Sequence, residues 1–302
     1  MEFRQQLQAT LSKLMEQDEK IVILDADLSK PNGTAPLYKK YPNRCFNVGI
    51  SEQNMVSVAA GLAAYGFKPL VVTFTPFATR RVCDQIAISV AYAKNNVKIL
   101  GTDPGITAEL NGGTHMSMED VGVVRSIPGV AIYDAVDYHQ LEQALPQIMN
   151  YDGPLYIRMP RKLYPEVFAE DYKYELFKSD VVREGTDVSI IATGIMVKPA
   201  LDAAEILAKE GISAEVISVN TIKPLDEETI LNSVKKTNKV VTCENHNVVG
   251  GLFSAVCELM CREYPIKVTP IGVQDEFGQV GKYKDLAAYY KMTAEDIVKA
   301  AK

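Results

Sequence analysis

The chain offers nothing that would place it in a bilayer. No apolar run approaches the roughly 18 residues a membrane span needs, and the first twenty residues, MEFRQQLQATLSKLMEQDEK, lack a secretory hydrophobic core. Positive charge is also in deficit. With 32 Lys and Arg against 38 Asp and Glu, the net charge is −6, which leaves no electrostatic footprint for nucleic acid or an anionic membrane. Cysteine is sparse and unpatterned: Cys45, Cys83, Cys243, Cys257 and Cys261 are an odd number with no CxxC. Cys257 and Cys261 stand four apart, and His246, the histidine nearest in sequence, is not at a ligand spacing. A disulfide or zinc framework is therefore not expected, and the five read as mostly buried, reduced thiols of a cytoplasmic protein. There is no internal repeat and no low-complexity segment.

What remains is an ordinary globular composition, 47% hydrophobic and 23% charged over 302 residues, enough for two domains with real cores. Apolar runs suited to buried parallel strands occur at 21–26, 69–74, 97–102, 130–135 and 154–159, with helical patterns at 52–65, 79–94 and 138–150 between them. Residues 161–177 interrupt that rhythm with proline, charge and aromatics, as a linker does. Strand patterns then resume at 187–194, 213–220, 238–245 and 266–273, with helices at 197–210 and 250–264. A last helix opens at Thr293 with acidic residues in its first turn. The expected fold is two α/β domains with mainly parallel sheets, residues 1–172 and 173–302.

Open parallel sheets bind ligands beyond the carboxyl ends of their strands, so the strand exits are the candidate sites. The first, at 25–34, carries Asp25, Asp27, Leu28 and Lys30. The second, NVGISEQNM at 47–55, puts Glu52 at the start of a helix of small residues, a place where a glutamate also simply complements the helix dipole. The third, TFTPFATRR at 73–81, presents Phe74, Phe77 and Arg80. The fourth, at 103–120, is a glycine-bearing loop with Asn111 and His115, one of only three histidines. Arg158 ends a fifth apolar run, as an anion ligand or as a surface cation. Together they suit an aromatic, anionic cofactor and a polar substrate.

In order and spacing, GISEQNM, AAGLAAYGFKP, TFTPFATRR, GGTH and IPG resemble the second half of a transketolase. More closely, the chain resembles the C-terminal subunit of two-chain transketolases, with 1-deoxyxylulose-5-phosphate synthase as a relative, over nearly its whole length. The resemblance implies a pyrimidine-binding domain, a C-terminal transketolase domain, and thiamine diphosphate as cofactor. It assigns Glu52 to N1′ of the aminopyrimidine, where proton sharing favours the imino tautomer that deprotonates the thiazolium to its ylid. An apolar pocket would raise the pKa of that carboxyl. Phe74 and Phe77 match the aromatic contacts to the ring, with Ile50 and Leu28 as further cofactor contacts. Arg80 falls where many transketolases have tyrosine and the deoxyxylulose synthases have arginine. His115 matches the active-site histidine that bonds sugar hydroxyls, and Arg158 resembles the arginine that grips the sugar phosphate. His246, in ENHNVVGGL, reads as structural or near a subunit interface.

Three departures shape the expected function. No GDG motif followed by an asparagine-containing stretch occurs, so the diphosphate and Mg²⁺ site should come from a separate N-terminal transketolase subunit, in at least a heterotetramer. Asn111 stands where the family usually has aspartate. Asp103 falls near a phosphate-contacting histidine of the family, where a carboxylate repels phosphate unless Lys30 or Arg158 offsets it. The expected reaction moves a two-carbon ketol unit from a ketose phosphate to an aldose phosphate. The alternatives are a subunit acting on a 2-oxo acid, like the synthases or the β subunits of 2-oxo acid dehydrogenases, and a non-catalytic subunit that kept only the fold.

Overall fold

The computed structural model describes residues 1–302 and divides into two compact units. The first contains residues 1–104 and 123–176, the second residues 105–122 and 177–302. The second is thus not one continuous stretch: it takes in the loop that sequence reasoning assigned to the first domain. No helix is long and apolar enough to cross a membrane.

Six strands of the first unit are β1 (Ile21–Asp25), β2 (Cys45–Asn47), β3 (Lys68–Phe74), β4 (Lys98–Thr102), β5 (Ala131–Asp134) and β6 (Leu155–Met159). They run in the order β5-β6-β4-β3-β1-β2 with parallel pairing throughout. Every residue of β1, β4, β5 and β6 is buried. That is why these segments read as continuous apolar runs: a parallel sheet is covered on both faces and has no solvent side to alternate with. The chain leaves β1 for β2 on one side and returns to β3 on the other. The strand order therefore reverses between β1 and β3, and a crevice at their carboxyl ends is the ligand site such a sheet provides.

The second unit holds β7 (Asp180–Arg183), β8 (Val188–Ala192), β9 (Ala214–Ser218), β11 (Val240–Asn247) and β12 (Val268–Val273) in the order β12-β11-β8-β9-β7. The short strand β10 (Thr221–Lys223) is not part of that sheet. Only β7 runs antiparallel. Helices Glu227–Thr237 and Leu252–Glu263 supply Ile230, Val234, Val256 and Leu259 to a core shared with Ile191, Ile217 and Val240. The terminal helix Ala294–Ala301 starts as expected, with Thr293 and Asp296 forming a reciprocal capping box.

Two expectations need correction. The single helix over 79–94 is a tight turn at Arg80–Val82 followed by a π-helix, Gln85–Tyr92. The cysteines are all free, but only Cys45 and Cys243 are buried; Cys83 and Cys257 are half-buried and Cys261 is exposed.

Candidate active site

The exits of β1 and β3 carry two of the expected residues, Leu28 and Phe74. Asp25 ends β1 fully buried, and its Oδ1 accepts the Leu28 amide at 2.5 Å. That bond turns the chain sharply, with Asp27 at φ 63°, and leaves Leu28 half-buried at the strand exit. Asn47, at the end of β2, laces the two exits together: its Oδ1 accepts from the amides of Asp27 (3.0 Å) and Gly49 (2.9 Å), and its Nδ2 donates to Asp27 (3.2 Å). Burial pushes the Asp25 carboxyl up to about 6 against the lowering by the Leu28 and Ser29 amides, and its Oδ2 has no partner.

Glu52 opens helix Glu52–Ala64 and is 3% exposed. Its Oε1 accepts a bond from Arg81 Nη1 at 3.0 Å. The Arg81 guanidinium lies over the Phe77 ring, 3.8 Å from the centroid, and Phe77 meets Phe74 at 6.2 Å between ring centres. A buried carboxylate, two half-buried aromatic rings and a guanidinium therefore form one connected group. The apolar pocket expected around Glu52 is in fact charge-paired. Of the other expected cofactor contacts, Ile50 is 78% exposed, and Arg80 and Lys30 are exposed. Asn111 and His115 sit on the loop belonging to the second unit. Asn111 is exposed, and half-buried His115 shares a 2.8 Å hydrogen bond between its Nδ1 and Thr114 Oγ1.

Arg158 is the clearest correction. It lies near the end of β6, as the apolar run placed it, but is 0% exposed and bonds Asp134 of β5 at 2.6 Å. Its guanidinium faces a buried partner and is not offered to an incoming phosphate. The residue past the strand end is Arg161, whose Nε bonds Asp103 at 2.6 Å and whose guanidinium lies 4.7 Å from the Phe74 ring centre. Arg161, not Lys30 or Arg158, offsets Asp103. Burial raises the Asp103 carboxyl pKa, opposed by the Arg161 charge. Arg81 and Arg161 are the two residues sequence reasoning passed over. Strand arithmetic holds the signal for the second, because an arginine two residues past a buried parallel strand lies at its carboxyl end.

In the second unit, His246 is fully buried, 3.9 Å from Asp120 and 3.6 Å from Glu244, and its Nδ1 meets the Asn247 carbonyl at 2.5 Å. Glu244 accepts from the amides of Leu252 (2.7 Å) and Phe253 (2.9 Å), capping helix Leu252–Glu263.

The donor set suits an aminopyrimidine: a buried carboxylate for a ring nitrogen and aromatic faces for the ring. No group of three His, Cys, Asp or Glu side chains that could hold a metal ion occurs.

Comparison with known proteins matches residues 1–167 to the family described as transketolase, pyrimidine binding domain, and residues 178–297 to transketolase, C-terminal domain. The chain is 51% identical over 291 residues to a 6-deoxy-6-sulfo-D-fructose transketolase subunit (SqwH) of Clostridium sp. strain MSTE9, covering 96% of this chain and 90% of that protein. It is 41% identical over 293 residues to a putative transketolase C-terminal section of Methanocaldococcus jannaschii, covering 96% and 92%. A solved structure titled split gene transketolase, inactive beta4 tetramer superposes with a TM-score of 0.91 at 40% identity, over 100% of this chain and 97% of that one.

Proposed function

Because the chain belongs to the transketolase family, we propose that it is the catalytic C-terminal subunit of a two-chain, thiamine-diphosphate-dependent transketolase. The reaction is transfer of a two-carbon ketol unit from a ketose to an aldose. The observation that carries this reading is the buried Glu52 beside the Phe74–Phe77 pair at the strand-order reversal. When bound, the cofactor supplies the carbon nucleophile and the electron sink for the two-carbon fragment.

Glu52 would share a proton with N1′ of the aminopyrimidine, and Phe74 and Phe77 would hold the ring, with Leu28 and Ile50 as further contacts. Arg80 lies at the margin of the same loop. His115 and Asn111 bond sugar hydroxyls, with Lys30 as a further substrate contact. An N-terminal subunit bearing the GDG motif supplies the diphosphate and Mg²⁺ site, and two of each chain form a heterotetramer. Along the chain the pyrimidine-binding domain is residues 1–172 and the C-terminal domain residues 173–302, with loop 105–122 serving the second unit.

The donor's anionic end would meet the Arg161–Asp103 pair. Asp103 compensates Arg161, so a singly charged sulfonate meets less repulsion there than a doubly charged phosphate. The similarity to a sulfofructose transketolase subunit points the same way.

The test is a two-carbon transfer assay on this chain alone and co-purified with its GDG-bearing partner, with thiamine diphosphate, Mg²⁺, ketose phosphates and 6-deoxy-6-sulfofructose. Activity only in the complex, abolished by Glu52→Ala with assembly intact, is the expected result. Silence on every sugar with turnover of a 2-oxo acid would replace this reading with the synthase-like alternative.

A further inference from the structure

We propose that Arg81 is the positioning residue for Glu52, fixing which way the carboxylate faces the aminopyrimidine. The inference rests on the assignment of Glu52 and Phe77 above. A glutamate carboxyl turns easily about its last torsion, and burial alone does not stop it. Here the stop is a chain of two contacts. The guanidinium lies over the Phe77 ring at 3.8 Å, and Nη1 bonds Glu52 Oε1 at 3.0 Å.

The two contacts demand different faces of the same group. A guanidinium stacks through its plane and donates through its edge, so an arginine lying on Phe77 can still aim an N–H sideways at a carboxylate. An ammonium has no plane with which to do both. Phe77 therefore orients Arg81, Arg81 pins Oε1, and the second carboxylate oxygen is presented in a defined direction. Glu52 itself is almost inaccessible, with its side chain 4% exposed, whereas Arg81 is 42% exposed. The arginine reaches inward from a solvated position, and the bond organises the buried acid at little desolvation cost to the cation.

A purely structural arginine would leave cofactor recognition unchanged once folding is controlled for. A competing arginine, one that occupies the ring face and the carboxylate the ligand needs, would weaken binding. A positioning arginine strengthens the one contact that goes through Glu52 and nothing else. The contrast is read with thiamine diphosphate and its analogue in which N1′ is replaced by CH.

Equilibrium dialysis of the co-purified two-chain complex would give the dissociation constant of each ligand for wild type, Arg81→Lys, Arg81→Met and Glu52→Gln. Melting curves would confirm that each variant is folded. Wild type should favour the cofactor over the analogue by roughly tenfold or more, as expected for one charge-assisted hydrogen bond. Both Arg81 variants should reduce that preference at least threefold while changing analogue affinity less than twofold. An unchanged preference in Arg81→Lys and Arg81→Met overturns the proposal in favour of a structural role. Tighter cofactor binding overturns it in favour of competition. Failure of wild type to distinguish the two ligands, or of Glu52→Gln to lower the preference, removes the Glu52 assignment itself.

Discussion

Asp25 should make the folded chain less stable as the pH rises from acid towards neutrality. Its carboxyl is fully enclosed at the end of β1, with Oδ2 unpartnered, and titrates near 6 because burial penalises the ionised form. An unfolded aspartate titrates near 3.9. Between those values the native state holds a proton the unfolded chain has released, so stability falls as pH rises through this window and stays lower above it. The full effect is about 3 kcal/mol, of which about 1.4 kcal/mol emerges between pH 5 and pH 8. Asp25→Asn keeps an acceptor for the Leu28 amide but cannot ionise. Urea unfolding of wild type and variant, without cofactor, at half-unit steps from pH 5 to 8 would give the difference directly. The variant should gain on the wild type by about 1.4 kcal/mol across the range, with the slope concentrated below pH 7. Any constant offset from the new amide drops out of the comparison. A difference that is flat over the whole range would refute the assignment of a raised pKa to this residue.

Arg158→Leu should destabilise the chain by about 3–5 kcal/mol, because it strands Asp134 as a buried charge. Thermal melting measures this, and an unshifted melt with a raised KM for the anionic sugar would instead restore Arg158 as a substrate ligand. Gly251→Ala would place a methyl group 1.9 Å from Glu244 Oε2 and 2.6 Å from His246 Nδ1. It should displace the cap of helix Leu252–Glu263 at about 2–4 kcal/mol. Urea denaturation reads the loss, and wild-type stability would disprove the close packing.

Sequence carried the fold where local pattern and burial coincide. The run IVILD suited an enclosed strand and is one, and Thr293 with Asp296 announced its own helix. It failed where the deciding contact is non-local. β2 has three residues, two of them exposed, too short to show a period. The hydrogen bonding of Gln85–Tyr92 depends on a register that side-chain propensity does not encode. Glu52, Phe74 and Phe77 could be singled out because they sit at strand exits in a recognisable order. Arg81 was not, because nothing in an Arg-Arg pair tells which member turns towards a carboxylate 29 residues earlier. Arg158 was singled out and Arg161 passed over because the two stand three apart near one strand end, and only the strand's stop at Met159 separates a buried ion pair from a cation past the end.

Loop 105–122 also constrains where such a gene can be cut. The Asn245 side chain accepts the Ile106 amide at 2.9 Å, and Asp120 faces His246. Material encoded early in the chain thus completes a unit whose sheet is encoded late. A fragment beginning at residue 177 would expose the groups this loop covers. A chimera that exchanged only the C-terminal sequence would join a new sheet to an old plug. Recombination at the obvious linker is therefore penalised unless both segments travel together, so the two pieces must change in step.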